Sequence, residues 1–289
     1  MTLWHVILLA IVQGLAELLP VSSSAHVIVA EKLMGMDPSA PETTLLLVML
    51  HTGTMFAVIV YFWERWRRAF LQTAAEFKNF VVSLILATLL TGVVGGVLTK
   101  AIEKLAFPHQ PHAWVEQLFG RLDWIAAALA VVGVLILVAG LLERRSHPGE
   151  SAAASGISSK QSSWIGAIQG ICLPFRGFSR SGATISAGML LGVPKARAED
   201  FSFALAVVLT PVAIARELLR LVQTQHLHSV ARLMPAVTPS IVGSVFAFLA
   251  GLVALKWLSR WLETGRWYWF GVYCLLAALA VGLLYHAGF

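Results

Sequence analysis

Long apolar blocks alternate with short polar segments along most of the chain. Six of these blocks are about 20 residues long, roughly the length that an α-helix needs to cross a hydrocarbon layer about 30 Å thick. The pattern therefore predicts six transmembrane helices. They are expected at Thr43 to Trp63, Phe80 to Thr99, Leu122 to Leu142, Phe201 to Leu221, Ala236 to Leu258 and Trp267 to His286.

Two further apolar segments, Leu3 to Val29 and Trp164 to Leu191, are interrupted near the middle by Pro, Gly and Ser. The interruptions lie at Leu19 to Ser24 and at Leu173 to Gly182. Non-helical backbone exposed to lipid would leave N–H and C=O groups unpaired, so this backbone has to be buried in protein or line a wet cavity. We predict a re-entrant helical hairpin or a broken helix in each segment.

The two interrupted segments resemble one another. Gln13 to Leu15 recurs as Gln169 to Ile171, and Ser22 to Ala25 recurs as Ser179 to Gly182, at an offset of 156 to 157 residues. Three predicted spans follow each segment, and an odd number of spans would make the two copies point in opposite directions. The predicted organisation is a first repeat, a cytoplasmic linker and a second repeat, at 1–145, 146–163 and 164–289.

Composition and charge agree with a membrane protein. Of the 289 residues, 58% are hydrophobic and 12% are charged, against about 25% charged residues in a soluble domain. The formal net charge of +6 comes from short basic clusters between the apolar blocks, where orientation signals belong, so no nucleic-acid partner is expected.

The basic residues also predict the orientation of the chain. One set of polar segments holds 12 Lys and Arg, at 64–78, 143–162, 192–199 and 256–266. The opposite set holds 6, at 1–42, 100–121 and 220–235. Because cytoplasmic segments are enriched in Lys and Arg, the first set is expected in the cytoplasm, with both termini outside.

Ionisable and polar residues in the first interrupted segment are candidates for chemistry. Gln13 and Glu17 are spaced i, i+4 and share one helix face. A carboxylate at membrane depth is costly and is by default a functional hypothesis. Glu17 could ligate a divalent cation, act as a base, polarise His26, or pair with an Arg to hold the hairpins together.

His26 and the serines before it are a second group of candidates. Imidazole can transfer protons near neutral pH and can attack phosphorus. Ser22 and Ser23 offer hydroxyls and a turn whose N–H groups can bind an anion, although serines also cap helices. His51 lies in a predicted span outside these motifs, and we do not predict a function for it.

The second interrupted segment carries guanidinium groups. Arg180 stays charged and can grip a phosphate with two hydrogen bonds. Small and hydroxyl residues surround it and predict an anion cradle followed by a helix start: Ser179, Ser181, Gly182 and Thr184. Arg176 could be a second clamp or could extend to the headgroups.

Inverted repeats with interrupted helices place their sites near mid-membrane, so we expect the polar residues of both segments to meet there. A Ser near a His would also fit an intramembrane serine protease. However, no GxSxG nucleophile turn accompanies it, and two Arg residues beside serines fit phosphate better than a peptide carbonyl. The main rival is a lipid carrier or flippase without hydrolysis, because the same architecture describes transporters.

These motifs resemble the undecaprenyl-diphosphate phosphatase family, which is also known for bacitracin resistance. The family's first motif is Glu or Gln, three residues, Glu, then Pro-Val-Ser-Ser and a His. It is matched by Gln13, Glu17, Pro20, Val21, Ser22, Ser23 and His26. The second, Gly-Phe-Ser-Arg-Ser-Gly-Ala-Thr, matches Gly177 to Thr184 without a gap.

The resemblance implies an all-α membrane fold with six spans and two re-entrant hairpins. It implies hydrolysis of undecaprenyl diphosphate to undecaprenyl phosphate and phosphate, which recycles the lipid carrier for cell-wall synthesis. The implied setting is the bacterial inner membrane, with a pocket open to the periplasm, a polyisoprenyl diphosphate substrate, surrounding membrane lipid and a homodimer as one possible assembly.

The resemblance also implies a divalent cation, Mg²⁺ or Ca²⁺, with Glu17 as a ligand. It implies catalytic roles for Glu17, Ser23, His26 and Arg180. Two residues depart from the common family pattern. Gln13 stands where many members have Glu, which leaves Glu17 as the main acidic ligand, and Arg176 stands where Pro is common, which adds positive charge.

Overall fold

A computed structural model describes residues 2–38, 40–107, 115–143, 156–224, 230–263 and 266–288. Within these ranges the secondary structure is helical throughout. The α-helices are α1 Leu3–Leu18, α2 Ser23–Leu33, α3 Pro41–Phe70, α4 Ala74–Ala106, α5 Leu122–Glu143, α6 Ser159–Cys172, α7 Arg180–Leu190, α8 Lys195–Thr224, α9 Val230–Glu263 and α10 Tyr268–His286. A short 3₁₀ helix, Val115–Leu118, precedes α5.

The six predicted spans are confirmed as the six helices that are long and apolar enough to cross a bilayer, namely α3, α4, α5, α8, α9 and α10. Their outward faces are apolar as well. On α4, Leu89, Val93 and Val97 follow one another at i, i+4 spacing and are 60%, 60% and 62% exposed. Such a stripe is stable only against lipid, so the chain is an all-helical integral membrane protein.

The two predicted interruptions are also confirmed. The first separates α1 from α2 and contains Pro20, which has no N–H to continue a helix, and Ser22, which has a φ of 69°. The second separates α6 from α7 and contains Gly177 with a φ of 95°. A Cβ on Gly177 would lie 2.6 Å from Ile125 O, so only glycine fits this close approach. The re-entrant course of each pair relative to the bilayer stays a prediction.

The helices form two compact units. Unit 1 contains Met1–Leu19, Ser23–Trp63 and Ala206–Ser259. Its core joins α1, α2, α3 and α9 through a set of buried apolar side chains: Val6, Leu9, Ala10, Val27, Leu46, Leu50 and Ala247. Close packing of these aliphatic groups stabilises the unit through van der Waals contacts, because the surrounding lipid is as apolar as the side chains themselves.

Unit 2 contains Pro20–Ser22, Glu64–Leu205 and Arg260–Phe289. Helix α5 packs against α10, and α4 packs against α6. A hydrogen bond from Thr91 Oγ1 to Gly166 O, at 2.9 Å, joins α4 and α6 inside the unit.

Each compact unit draws on both predicted repeats, because α9 belongs to unit 1 and α4 and α5 belong to unit 2. The order of elements is the predicted one, with an interrupted pair followed by three long helices, twice. Most of the predicted linker at 146–163 lies outside the described residues, and its last five residues belong to α6. The opposite orientation of the two repeats stays a prediction.

Candidate active site

Unit 1 gathers polar side chains around the carboxylate of Glu17, near the end of α1. The predicted i, i+4 pair is present, since Gln13 Nε2 donates to Glu17 Oε2 at 3.1 Å. Ser23, the first residue of α2, donates its hydroxyl hydrogen to the same oxygen. Ending α1 at Leu18 and beginning α2 only five residues later brings Ser23 back to Glu17.

A third residue, His51 on α3, also faces this carboxylate. His51 Nε2 lies 3.8 Å from Glu17 Oε2, and the two side chains are 32% and 14% exposed. The other ring nitrogen, Nδ1, lies 2.7 Å from Leu47 O. Because a carbonyl oxygen only accepts, Nδ1 carries a hydrogen and Nε2 is the atom turned to Glu17.

The other candidates of the first motif lie beside this cluster in the chain. His26 is on the first turn of α2, three residues after Ser23, and is half-buried. Ser22 is only 5% exposed and belongs to the turn of Pro20–Ser22 in unit 2. The hydrogen bond of Ser23 that the structure establishes runs to Glu17, so a carboxylate accepts from the Ser23 hydroxyl.

Unit 2 contains the second motif, whose serine caps α7. Ser179 Oγ accepts a hydrogen bond from Gly182 N at 3.2 Å, as an N-cap residue does. Arg180 is the first residue of α7 and is half-buried. Ser181 and Gly182 complete this first turn and are buried. The predicted helix start is therefore confirmed, and the binding of an anion at this turn stays a prediction.

Thr184 has its hydroxyl directed inward. Its Oγ1 lies 2.8 Å from Arg180 O and 2.6 Å from Ser202 Oγ, and the residue is 0% exposed. Donation to the Arg180 carbonyl leaves Thr184 Oγ1 to accept from Ser202, which lies on α8. These bonds fix the first turn of α7, so we infer that Thr184 supports the cradle from behind.

Arg176 is held by an aromatic ring. Its guanidinium carbon lies 4.5 Å from the centroid of Phe119, a cation–π distance. The neighbouring Phe175 stacks on Trp124 with ring centroids 6.1 Å apart. The loop that leads to Arg180 is therefore anchored on residues that come just before and at the start of α5.

The turn of the first motif packs against the second motif within unit 2. The Pro20 carbonyl oxygen lies 3.2 Å from the position that a Cβ on Gly182 would take. The thiol of Cys274, on α10, donates to the same carbonyl at 3.5 Å. A larger residue at 182 would push the turn away, so Gly182 makes this approach possible.

Three residues that contact the candidate residues were not predicted from the sequence: His51, Ser202 and Phe119. None belongs to either motif, and each meets its partner through packing between helices or loops distant in sequence. Of the three, only His51 could have been suspected from the sequence, as an ionisable residue in an apolar block. That signal is weak, because an isolated His in a helix is often a packing residue.

Comparisons with known proteins agree with these motifs. A family model described as "Bacitracin resistance protein BacA" matches residues 6–280. "Undecaprenyl-diphosphatase 2" of Acinetobacter baylyi is 55% identical over 278 residues, which cover 95% of each chain. "Undecaprenyl-diphosphatase 1" of Burkholderia pseudomallei is 35% identical over 96% of this chain and 95% of the relative. "Undecaprenyl-diphosphatase 2" of Burkholderia thailandensis is 35% identical over the same shares.

Proposed function

The chain belongs to the bacitracin resistance protein BacA family, and from this premise we propose that it hydrolyses undecaprenyl diphosphate to undecaprenyl phosphate and inorganic phosphate. The reaction returns a lipid carrier to the form that cell-wall synthesis uses. The geometric observation that carries the proposal is the hydrogen bond from Ser23 to Glu17, because a binding protein has no need to direct a hydroxyl hydrogen at a partly buried carboxylate.

The Glu17 cluster would supply proton transfer at the reacting phosphorus. If Ser23 attacks, Glu17 Oε2 is already placed to take the proton that Ser23 loses. If water or His26 attacks, the same pair would orient the nucleophile or stabilise it by hydrogen bonding. In each case Glu17 would accept or orient a hydrogen of the nucleophile, and Ser23, His26 and water are the candidate nucleophiles.

The second motif would bind the diphosphate. Phosphoryl transfer requires positive charge and N–H donors at the oxygens of the transferred group. The Arg180 guanidinium supplies charge, and the first turn of α7, capped by Ser179, presents backbone N–H groups with the positive end of the helix dipole. Ser181 and Arg176 would add further donors at the same loop.

We also propose that a divalent cation, Mg²⁺ or Ca²⁺, binds beside Glu17. Among the described residues no group of three or more His, Cys, Asp and Glu lies together. The oxygen donors nevertheless fit a hard cation: Gln13 is 1% exposed, and its Oε1 has no hydrogen-bond partner among the described residues. Glu17 and Gln13 Oε1 would hold the ion together with substrate oxygens and water, and the ion would neutralise phosphate charge.

Both motifs are proposed to act on one diphosphate near the middle of the membrane. Support comes from the contact in unit 2 between Pro20 and Gly182, which brings the turn of the first motif to the cradle of the second. Glu17 and Ser23 each lie three residues from Pro20 along the chain. The excess of Lys and Arg in the predicted cytoplasmic segments supports an opening to the periplasm.

Phosphate release by the purified protein tests this function. The wild type is expected to release inorganic phosphate from undecaprenyl diphosphate, and Glu17→Ala and Arg180→Ala are each expected to slow release by at least about 10²-fold. A matched control is Leu173→Ala, which removes a half-exposed side chain from the end of α6. Substrate binding without release in any divalent ion would contradict the proposal and favour a carrier or flippase.

The nucleophile can be identified by rapid quenching of the reaction with substrate labelled in the terminal phosphate. Attack by Ser23 would leave an acid-stable label on the protein, and attack by His26 would leave an acid-labile one. Direct attack by water would leave no label on the protein. The Ser23→Ala and His26→Ala variants assign the label to its residue.

A further inference from the structure

The environment of Glu17 contains a group that neither motif supplies. The side chains that approach Glu17 Oε2 include Gln13 and Ser23, which belong to the first motif, and His51 from α3. Gln13 and Ser23 reach the carboxylate from the two sides of one interruption. His51 reaches it from α3, so the position of the Glu17 carboxylate also depends on a helix outside the first motif.

The His51 ring is fixed in one orientation. Its Nδ1–H donates to Leu47 O, one turn earlier on α3, at 2.7 Å. This bond turns Nε2 toward Glu17 Oε2, 3.8 Å away. With Nδ1 bonded to Leu47 O, the ring has lost its freedom to rotate and keeps Nε2 beside the carboxylate, so it can restrict the space in which Glu17 moves.

The part of α3 that carries His51 is itself held in place within unit 1. Gly53 packs so closely against α9 that a Cβ there would collide with Ser244 O. Leu50, next to His51 in the chain, belongs to the buried core cluster and is 0% exposed. The position of the imidazole is therefore set by helix packing on both sides.

We propose that His51 is a positioning residue for the phosphatase reaction: it holds the Glu17 carboxylate in the orientation in which Oε2 accepts the Ser23 hydroxyl hydrogen. The inference deepens the proposed function and rests on it. His51 acts through Glu17 and is not itself expected to contact the substrate. Carboxylate orientation matters because groups that act in phosphoryl transfer must be aligned with the reacting atoms.

The variants His51→Ala, His51→Gln and His51→Asn separate this role from packing. Removing a group that orients a reactive side chain typically costs 10-fold to 100-fold in activity, so we expect kcat of H51A to fall by about this factor. KM should change by less than about threefold, since the diphosphate is held by the second motif. Gln can present an N–H near the place of Nε2 and should recover most of the loss, whereas the shorter Asn should not.

Thr52→Ala is the matched control. Thr52 is next to His51, and its Oγ1 also donates to a carbonyl one turn earlier, Val48 O, at 2.9 Å. The variant therefore removes the same kind of side-chain bond from α3 and leaves Gln13, Ser23 and His51 in place beside Glu17, so we expect kcat within twofold of the wild type. The melting temperatures of H51Q, H51N and T52A in detergent should agree within a few degrees.

A double-mutant cycle shows whether His51 acts through Glu17. If it does, adding H51A to Glu17→Gln should change the residual activity by less than twofold, because the carboxylate that His51 orients is gone. If H51A does not fold, the comparison of H51Q with H51N carries the test alone. Three results would overturn the inference and leave the phosphatase function standing. They are equal activities of H51Q and H51N, a wild-type kcat in H51A, and additive losses in the cycle. A wild type that releases no phosphate would contradict the proposed function itself.

Discussion

The two interrupted helices begin as near copies and diverge at the residues that carry chemistry. At the repeat offset of 156, Gln13 corresponds to Gln169 and Glu17 corresponds to Leu173. Gln13 donates to the carboxylate one turn later, whereas Gln169 lies at 0% exposure, with its Nε2 3.4 Å from Thr91 Oγ1. The same amide therefore donates to the proposed catalytic acid in one copy and takes part in helix packing in the other.

After the interruption the copies differ again. At the offset of 157, Ser22 corresponds to Ser179 and Ser23 to Arg180, and both Ser23 and Arg180 begin a helix. The first copy thus presents a hydroxyl and a carboxylate, and the second presents a guanidinium at a capped helix start. Similar interrupted helices therefore carry a carboxylate in one copy and a guanidinium in the other, and the proposed hydrolysis uses the first for proton transfer and the second for phosphate charge.

The largest effect is expected when Glu17 is replaced by leucine, the residue at the corresponding position of the second copy, Leu173. Glu17→Leu should lower kcat by about 10³-fold, because it removes the acceptor of the Ser23 proton and an oxygen ligand for the cation. Phosphate release measured at saturating substrate and divalent ion gives the effect. Activity within tenfold of the wild type would show that the carboxylate is not part of the chemistry.

Arg180 tests the cationic copy. Arg180→Ala should lower kcat/KM by roughly 10²-fold to 10³-fold, as the loss of one preorganised phosphate donor does. Arg180→Lys keeps the charge but loses the two-pronged geometry, so it should recover only part of the loss. Full activity in R180K would mean that charge alone suffices at this position.

Replacing Gln13 or Gln169 by Glu should have different effects in the two copies. Gln13→Glu adds a second acidic oxygen beside Glu17 and should lower the divalent-ion concentration for half-maximal activity by about tenfold. Gln169→Glu buries a charge next to Thr91 and should destabilise the protein by several kcal/mol, by the cost of an unpaired buried charge. Divalent-ion titrations of activity and melting curves compare the two variants. The same ion requirement and the same melting temperature in both would contradict the difference between the copies.

The smallest effect is expected at Phe119. Phe119→Leu keeps an apolar side chain but removes the cation–π contact with Arg176, a contact of about 0.5 to 1 kcal/mol. KM should rise by about twofold to fivefold with kcat unchanged, because the loop before Arg180 loses one anchor. If KM is unchanged in Phe119→Leu but raised in Arg176→Ala, Arg176 contributes to substrate binding without the contact to the Phe119 ring.

The fold could be predicted largely from the sequence because hydropathy and chain breakers act locally. All six spans and both interruptions follow from apolar block length and from Pro, Gly and Ser positions. The helix ends could not be predicted as well. Helix α4, for example, runs from Ala74 to Ala106, beyond the predicted Phe80 to Thr99. Polar turns outside the apolar block stay helical, and a capping box at Thr73 begins this helix earlier.

The candidate site was predictable only where sequence spacing determines geometry. The pairing of Gln13 with Glu17 follows from i, i+4 spacing on a helix. The bond from Ser23 to Glu17 crosses an interruption, whose turn geometry the sequence does not specify. The approach of His51 depends on the packing of α3, which no local pattern encodes.

The central claim is that the two motifs act on a single diphosphate, and a structure with a bound non-hydrolysable methylene diphosphonate analogue tests it most directly. We expect the analogue's phosphonate oxygens to contact the Arg180 guanidinium and the first turn of α7. We also expect the terminal phosphorus to lie within reach of Ser23, His26 or a water held by Glu17. An analogue bound at Arg180 with all three of these groups beyond contact distance would contradict the claim.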